Sequence, residues 1–475
     1  MSKLSKTVLI CVAAVVAVLA VGRVILGAVA QSKMRQALSN IPGVQIDVKK
    51  AGFSLIAGSL NLRDVDFAVS DSVMGGQRAA GHIEAIKVKR LSWRRLLRKE
   101  VFLGELRVEN GSAALESVKS PMKVSAKDIS FSVHDIGIPL SDSGAVEYND
   151  STYSVAIDSL DYTDDAGLSR IVVGHLSTAD AGPVLAESFH FYNCVPMEKL
   201  AEKMGKVAAM WCDVKLDTLL ISDINIPRAV KNKNIDIENV RLTSPEMVMF
   251  QDDRYPPAVP YPTFQESLNT VEIPLMIHRL EAGIKKFTFV WETKPGKRGS
   301  VPLYNVDLAI ESASNAPGNV MKLDAHGARK GHCSASFSMQ VKNDKPETTR
   351  GKMQVKNLDV SALDGFIGPV FGVTAKANIH HIDCDFQGEK NKMKADFCMR
   401  FENLAVKATD SGVLTTLASI ALPKSNPAVA GTDPKKVEYT FERDPMKPYP
   451  AYLIQSVTLG MLHTVLPGGK IKKKK

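Results

Sequence analysis

Apolar residues recur along this chain in one cadence: two at a spacing of two, a step of three, then two more at a spacing of two. The clearest copies are Leu60, Leu62, Val65, Phe67; Val155, Ile157, Leu160, Tyr162; Ile235, Ile237, Val240, Leu242; Met353, Val355, Leu358, Val360; and Met399, Phe401, Leu404, Val406, with Leu303, Val306, Leu308, Ile310 a variant that takes its step of three first. Looser copies start at Val101, Val124 and Val214. A spacing of two predicts a strand with one apolar face, because successive side chains point to opposite sides of a sheet. The central step of three breaks that parity. Ahead of the second pair stand Asp64, Asp128, Asn239, Asn305, Asn357 and Asn403, residue types that tolerate left-handed backbone. A bulge or sharp bend is expected there, returning the apolar row to the same face and bending the strand. Repeated, this predicts a curved sheet with one apolar concave face; an ordinary antiparallel sandwich core would use the same alternation.

Between these strands a few short helices are expected, at 91–98, 197–211, 362–371, 412–422 and 452–466. The stretch 452–466 is apolar almost all round, too short to span a bilayer, and suited either to close the fold or to meet an anionic surface. Strands are expected at 214–226 and 235–250, and a hairpin at 374–406. Pro256, Pro257, Pro260 and Pro262 make 255–269 a loop between an amino-terminal part, 31–254, and a carboxy-terminal part, 270–469.

Composition changes the picture mainly at the ends. The net charge of +9 comes from Lys3, Lys6, Arg23, Lys33 and Arg35 at one end and Lys470 and Lys472 to Lys475 in the basic tail 470–475 at the other. The body between them is near neutral, and aromatic content is only 6%, which argues against a nucleic-acid surface. Residues 1–30 read as a membrane anchor: 7–30 could span a bilayer with Arg23 reaching an interface, and 32–38 continues it as a helix. A signal peptide cleaved after Ala28, Val29, Ala30 is the alternative. Basic residues flank the span on both sides, so charge does not fix its orientation.

Six cysteines are too few for a disulfide framework in 475 residues. Cys384 and Cys398 could face each other across the turn at 388–392, or be separated by a one-residue change of register. No Walker A, G-x-S-x-G, H-E-x-x-H, G-x-G-x-x-G or C-x-x-C pattern occurs. His380, His381, Asp383 and Cys384 alternate between faces of a strand, as do His332 and Cys333, so they are read as polar positions and not as one metal site. No catalytic residue, metal ligand or cofactor is assigned.

The stretch Gly58, Ser59, Leu60, Asn61, Leu62, Arg63, Asp64, Val65, Asp66, Phe67, the segment 86–116 built around LSWRRLLRKE, and NLDVSALDGFIGPVFG at 357–372 together resemble the AsmA-like family with its TamB-like relatives. The resemblance covers most of the chain in architecture, through degenerate apolar motifs. It implies a single-pass bacterial inner-membrane protein: an N-terminal transmembrane helix, then a periplasmic body forming an elongated, curved antiparallel β-sheet groove with a few short capping helices. Such a groove carries phospholipid acyl chains between envelope membranes in outer-membrane biogenesis. Roughly seventeen strands at about 4.8 Å would extend about 80 Å, leaving room for an outer-membrane or periplasmic protein partner. Leu60, Leu62, Phe67, Ile157, Ile237, Leu308, Val355 and Phe401 are the expected lining. The competing expectation is an envelope scaffold or assembly factor for outer-membrane proteins that binds no lipid; an envelope hydrolase comes third.

Overall fold

The computed structural model describes residues 43–466 other than 55–56, 93–94, 96–99, 140–152, 180–181, 223, 225–228, 230–231, 330–332, 409–421 and 430. The expected anchor at 7–30, its continuation at 32–38, most of the helices at 91–98 and 412–422, His332 and the basic run 470–475 lie outside the described residues. The fold is mainly β, in mixed but mostly antiparallel sheet. The described residues fall into two compact units divided after Cys194, with 218–228 belonging to the first.

In the first unit, β1 (Val44–Ser54), β2 (Ser59–Val69), β3 (Gln77–Lys89), β4 (Glu100–Ser117) and β5 (Lys123–Pro139) pair in sequence order, each antiparallel to the next. The next ribbons are broken in the middle. Strands β6 (Tyr153–Ile157) and β7 (Ser159–Thr163), separated by Asp158, both pair with β5. Strands β8 (Ser169–Val173) and β9 (His175–Ala179), separated by Gly174, both pair with β10 (Val184–Asn193).

Those breaks continue the parity shift seen in the sequence. Asp64, Asp128, Asn305, Asn357 and Asn403 all have φ between 50° and 59°, as expected of Asp and Asn at a bend. Leu60, Leu62, Val65 and Phe67 are all buried, so one left-handed residue re-phases the alternation. No register shift accompanies it at Asp64 with either neighbour, so this is a kink and not the expected bulge. True register shifts do occur on β4–β5 on either side of Gly111. The bends also line up across the sheet. Asp64 lies beside Glu84, and Glu84 lies beside left-handed Asn110, whose Nδ2 donates to Glu84 Oε2 at 2.7 Å. Further along, Asp158 N–H donates to Lys127 O beside Asp128, and Gly174 N–H donates to Glu187 O beside left-handed Ser188. The first unit therefore carries one crease running across its strands.

In the second unit, the 3-10 turn Met197–Lys199 leads into α1 (Leu200–Lys203), followed by β11 (Ala209–Ser222), whose first part pairs with β13 (Glu246–Asp252). The helix expected over 197–211 stops early because Gly205 (φ 90°) and Lys206 (φ 61°) turn left-handed. Trp211 then lies on a strand opposite Phe250, with its Nε1 donating to Val195 O at 2.9 Å. The single strand expected over 235–250 is two, β12 (Ile235–Ser244) and β13, separated by Pro245. Asn239 is not left-handed; the bend falls at Pro245, which cannot donate to a ladder, beside Lys285 and left-handed Asn305.

Both β12 and β13 run parallel to β14 (Leu275–Lys294), which corrects the expectation of a purely antiparallel sheet. Parallel pairing needs a crossover, supplied here by the proline-rich stretch and α2 (Phe264–Asn269). From β14 the chain meanders antiparallel through β15 (Lys297–Ser314), β16 (Val320–Arg329), β17 (Cys333–Lys342), β18 (Thr348–Asp359), β19 (Val373–Glu389), β20 (Lys392–Ala408) and β21 (Lys436–Glu442). Between β18 and β19 lies α3 (Asp364–Phe371), closed by left-handed Gly372, and α4 (Tyr449–Val465) packs on β19–β21. A Cβ on Gly460 would stand 2.3 Å from the Phe397 ring, so only glycine permits α4 to approach this closely.

The crease makes a direct prediction. Asp64→Val or Asn357→Val, placing a β-branched residue at positive φ, should lower stability by roughly 1–2 kcal/mol in urea unfolding, whereas Asp64→Gly should be nearly neutral. Equal stability of the Val and Gly variants would remove backbone handedness as the cause of the bend.

Candidate functional site

The apolar face of the sheet is the first candidate. In the first unit Leu60, Leu62 and Phe67 join Val48, Val65, Ile83, Ile86, Leu106 and Val108 in one buried cluster spanning the meander from β1 to β5. Arg95 lies 4.3 Å over the Phe102 ring of β4 in this unit; in the second unit α3 packs on β14, β15 and β19 and α4 on β19–β21. Ile157 sits half-buried at the end of β6. In the second unit Phe401 is core and Val355 packs at the edge of the same cluster, while Ile237 is buried on β12 and Leu308 half-buried on β15, both outside it. The eight expected lining residues thus divide between the two units. Leu62 (0% exposed) and Phe401 (1%) are enclosed by protein, while Ile157, Leu308 and Val355 keep accessible surface.

The histidine cluster separates, but not by the strict alternation expected, because a register shift between Ile379 and His381 puts His380 on the exposed side with His381 and Asp383, away from Cys384. His381 Nε2 lies 3.7 Å from Asp383 Oδ2, His380 instead reaches Glu402 at 3.4 Å, and Cys384 is buried on the opposite face. Among the described residues no three His, Cys, Asp or Glu side chains converge as metal ligands. Cys384 pairs with Phe397 and Cys398 with Asp383, so the register offsets the two thiols by one residue and both are free.

A second cluster has no counterpart in the sequence reading. Glu347, only 6% exposed, accepts a hydrogen bond from Thr263 Oγ1 at 2.5 Å, and its Oε1 has no partner. Thr263 also caps α2 in a capping box with Glu266, which in turn pairs with Lys390. Arg443 donates to Tyr261 O and lies 5.2 Å over the Tyr449 ring. Tyr449 OH meets Thr349 Oγ1 at 3.3 Å, and its ring packs edge-on against Phe264 at 5.2 Å. The cluster therefore fastens the proline-rich stretch, α2, β18, the β19–β20 turn and the start of α4 together. Beside it opens a cleft of about 630 Å³ lined by Tyr261, Glu266, Lys390, Arg443 and three prolines. The T-x-x-E capping signature was legible in the sequence; the remaining members are too far apart in the chain for any local pattern to join them.

Burial pushes the Glu347 carboxyl above the usual carboxylate range, and Thr263 only partly offsets it. Burial also raises Tyr449 to about 12. For Glu266, burial acts in the raising direction, but Lys390 and the Thr263 N–H hold it below its usual value. The two neighbouring carboxyls are thus shifted in opposite directions, Glu347 toward its neutral form and Glu266 toward its ionised form.

Because folding raises the Glu347 pKa, its neutral form stabilises the fold below the unfolded value, and that contribution is lost as pH rises through the folded value. Glu347→Gln should therefore gain stability relative to wild type from acid toward neutral pH, read as the difference in urea midpoints. A constant difference across pH would mean that Glu347 is not titrating in the fold.

Comparison with known proteins finds no matching family model and no matching curated protein, so a functional reading has to stand on the chain itself.

Proposed function

We propose that this chain is a membrane-anchored carrier of phospholipid acyl chains, with 7–30 as a single-pass inner-membrane anchor and the β-rich body in the periplasm. In this reading the apolar face of the creased strands holds the tails, and the protein serves outer-membrane biogenesis with a protein partner at the far membrane. The observation that carries it is the phase correction itself: a left-handed residue returns the apolar row to one face, as at Leu60, Leu62, Val65 and Phe67, and the same device recurs on later strands. Each methylene transferred from water to such a face gains about 0.8 kcal/mol, so an apolar surface alone suffices to hold a tail. The near-neutral body suits a ligand bound through its apolar part. No residue is given a catalytic role.

Burial narrows which residues could contact a tail. Leu62 and Phe401 act first as core, so Asp there would unfold the protein, and the informative positions are Ile157, Leu308 and Val355. That same burial favours the second reading, an envelope scaffold that binds no lipid.

Native mass spectrometry of protein transferred out of detergent separates the two. The carrier reading expects co-purifying phospholipid, reduced severalfold by Leu308→Asp with the melting temperature nearly unchanged. Absence of lipid from the folded wild-type protein, or equal lipid on the Leu308→Asp variant, would favour the scaffold.

A further inference from the structure

One basic side chain in the second unit is buried without an acid to answer it. Arg443 directly follows β21 and is only 6% exposed. Its Nη2 donates to Tyr261 O, its guanidinium lies 5.2 Å over the Tyr449 ring, and its Nε has no partner. Both contacts are with neutral groups, and among the described residues no Asp or Glu forms an ion pair with it. The neighbouring carboxyls are otherwise engaged. Glu266 is held by Lys390 and the Thr263 N–H, and burial shifts Glu347 toward its neutral form. A guanidinium withdrawn this far from water with no counter-charge leaves a local positive excess that a bound anion would neutralise.

Arg443 also lines the cleft of about 630 Å³ beside the Thr263 cluster, a volume within the range of about 300–1,000 Å³ usual for small-molecule sites. Backbone hydrogen bonds of 2.9 Å tie its walls: Arg443 N–H donates to Asn391 O, Tyr261 N–H to Pro445 O, and Lys390 N–H to Glu347 O. The cleft is therefore formed before any ligand arrives, which lowers the entropic cost of binding. Lys390 and Lys392 add ammonium groups to its lining, and Glu442, across the β20–β21 pair from Lys392, adds an opposing charge. Lys390 balances Glu266 and Lys392 balances Glu442, so the excess belongs to Arg443. Pro260, Pro262 and Pro445 supply a wall with no N–H to offer. We propose that this cleft binds the phosphate group of an organic phosphate ester, held by Arg443 with Lys390 and Lys392, while the ester's organic part rests against the prolines. A planar carboxylate has two oxygens and would leave part of this donor set idle; a phosphate presents more oxygens in more directions and suits a guanidinium fork. A free phosphate ester and a phospholipid headgroup present the same group, so the proposal stands apart from the carrier reading.

Isothermal titration calorimetry of the full chain, in nonionic detergent and a phosphate-free buffer, tests it with glycerol 3-phosphate, glycerophosphoglycerol and acetate. Saturable binding of at least one of the two esters, much tighter than that of acetate, is expected. Tighter binding of the monoester points to a free phosphate ester, and binding of the diester at least as tight points to a lipid headgroup. Arg443→Gln should abolish binding, but Arg443 also clamps the proline-rich stretch, so two exposed positions decide. Lys392→Glu should weaken ester binding at least about threefold, and Glu442→Gln should strengthen it, both with the melting temperature nearly unchanged and both less marked at raised salt. An Arg443 that serves the fold alone predicts neither change. No saturable binding of either ester, acetate bound as tightly as the esters, or affinities unmoved by Lys392→Glu and Glu442→Gln overturns the proposal. Ester binding absent with co-purifying phospholipid retained removes this site and leaves the carrier reading standing.

Discussion

A strand that alternates perfectly can keep one face apolar, but it can bend only by paying out its alternation somewhere, and this protein does so at chosen residues. A single left-handed Asp or Asn inserts the missing half-step, after which the side chains resume on the original side. Because Asp64, Asn110, Asp128 and Ser188 bend at positions brought alongside one another by the pairing, the first unit folds along a line and not at scattered points. The burial of Leu60, Leu62, Val65 and Phe67 on a single side depends on that line.

The second unit uses the same device and adds constraints of its own. Pro245 interrupts β12 and β13 beside Lys285 and Asn305, so a missing donor does the work that handedness does elsewhere. The parallel pairing with β14 then requires a crossover, and the crossover is held down by Thr263, Glu347, Glu266, Lys390 and Arg443. Burial there shifts Glu347 toward its neutral form, which costs less to take out of water than a carboxylate with one unpartnered oxygen.

Much of this was legible in the chain. The cadence located most strands, and the Asp and Asn positions located Asp64, Asp128, Asn305, Asn357 and Asn403 as bends but not Asn110 or Ser188, which stand outside the apolar copies. The helix expected at 197–211 overran because its apolar spacing continues past Gly205, a residue whose backbone freedom outweighs periodicity. Asn239 misled because Pro245, a few residues on, was the stronger interruption. The parallel strands and the Glu347 cluster were illegible for a different reason: they depend on which remote segments meet, and alternation carries no information about that. The same limit applies to the proposed lining. Alternation placed Leu62 and Phe401 on the apolar side, but what lies over that side decides whether a residue is core or contact surface.

The close fit of Gly460 over Phe397 has a consequence during synthesis. The hairpin of β19 and β20 is translated before α4, so the Phe397 ring emerges ahead of the helix that later lies against it. Until α4 is in place that ring lacks its cover, so this face of the hairpin is completed only after the sheet it belongs to has been made.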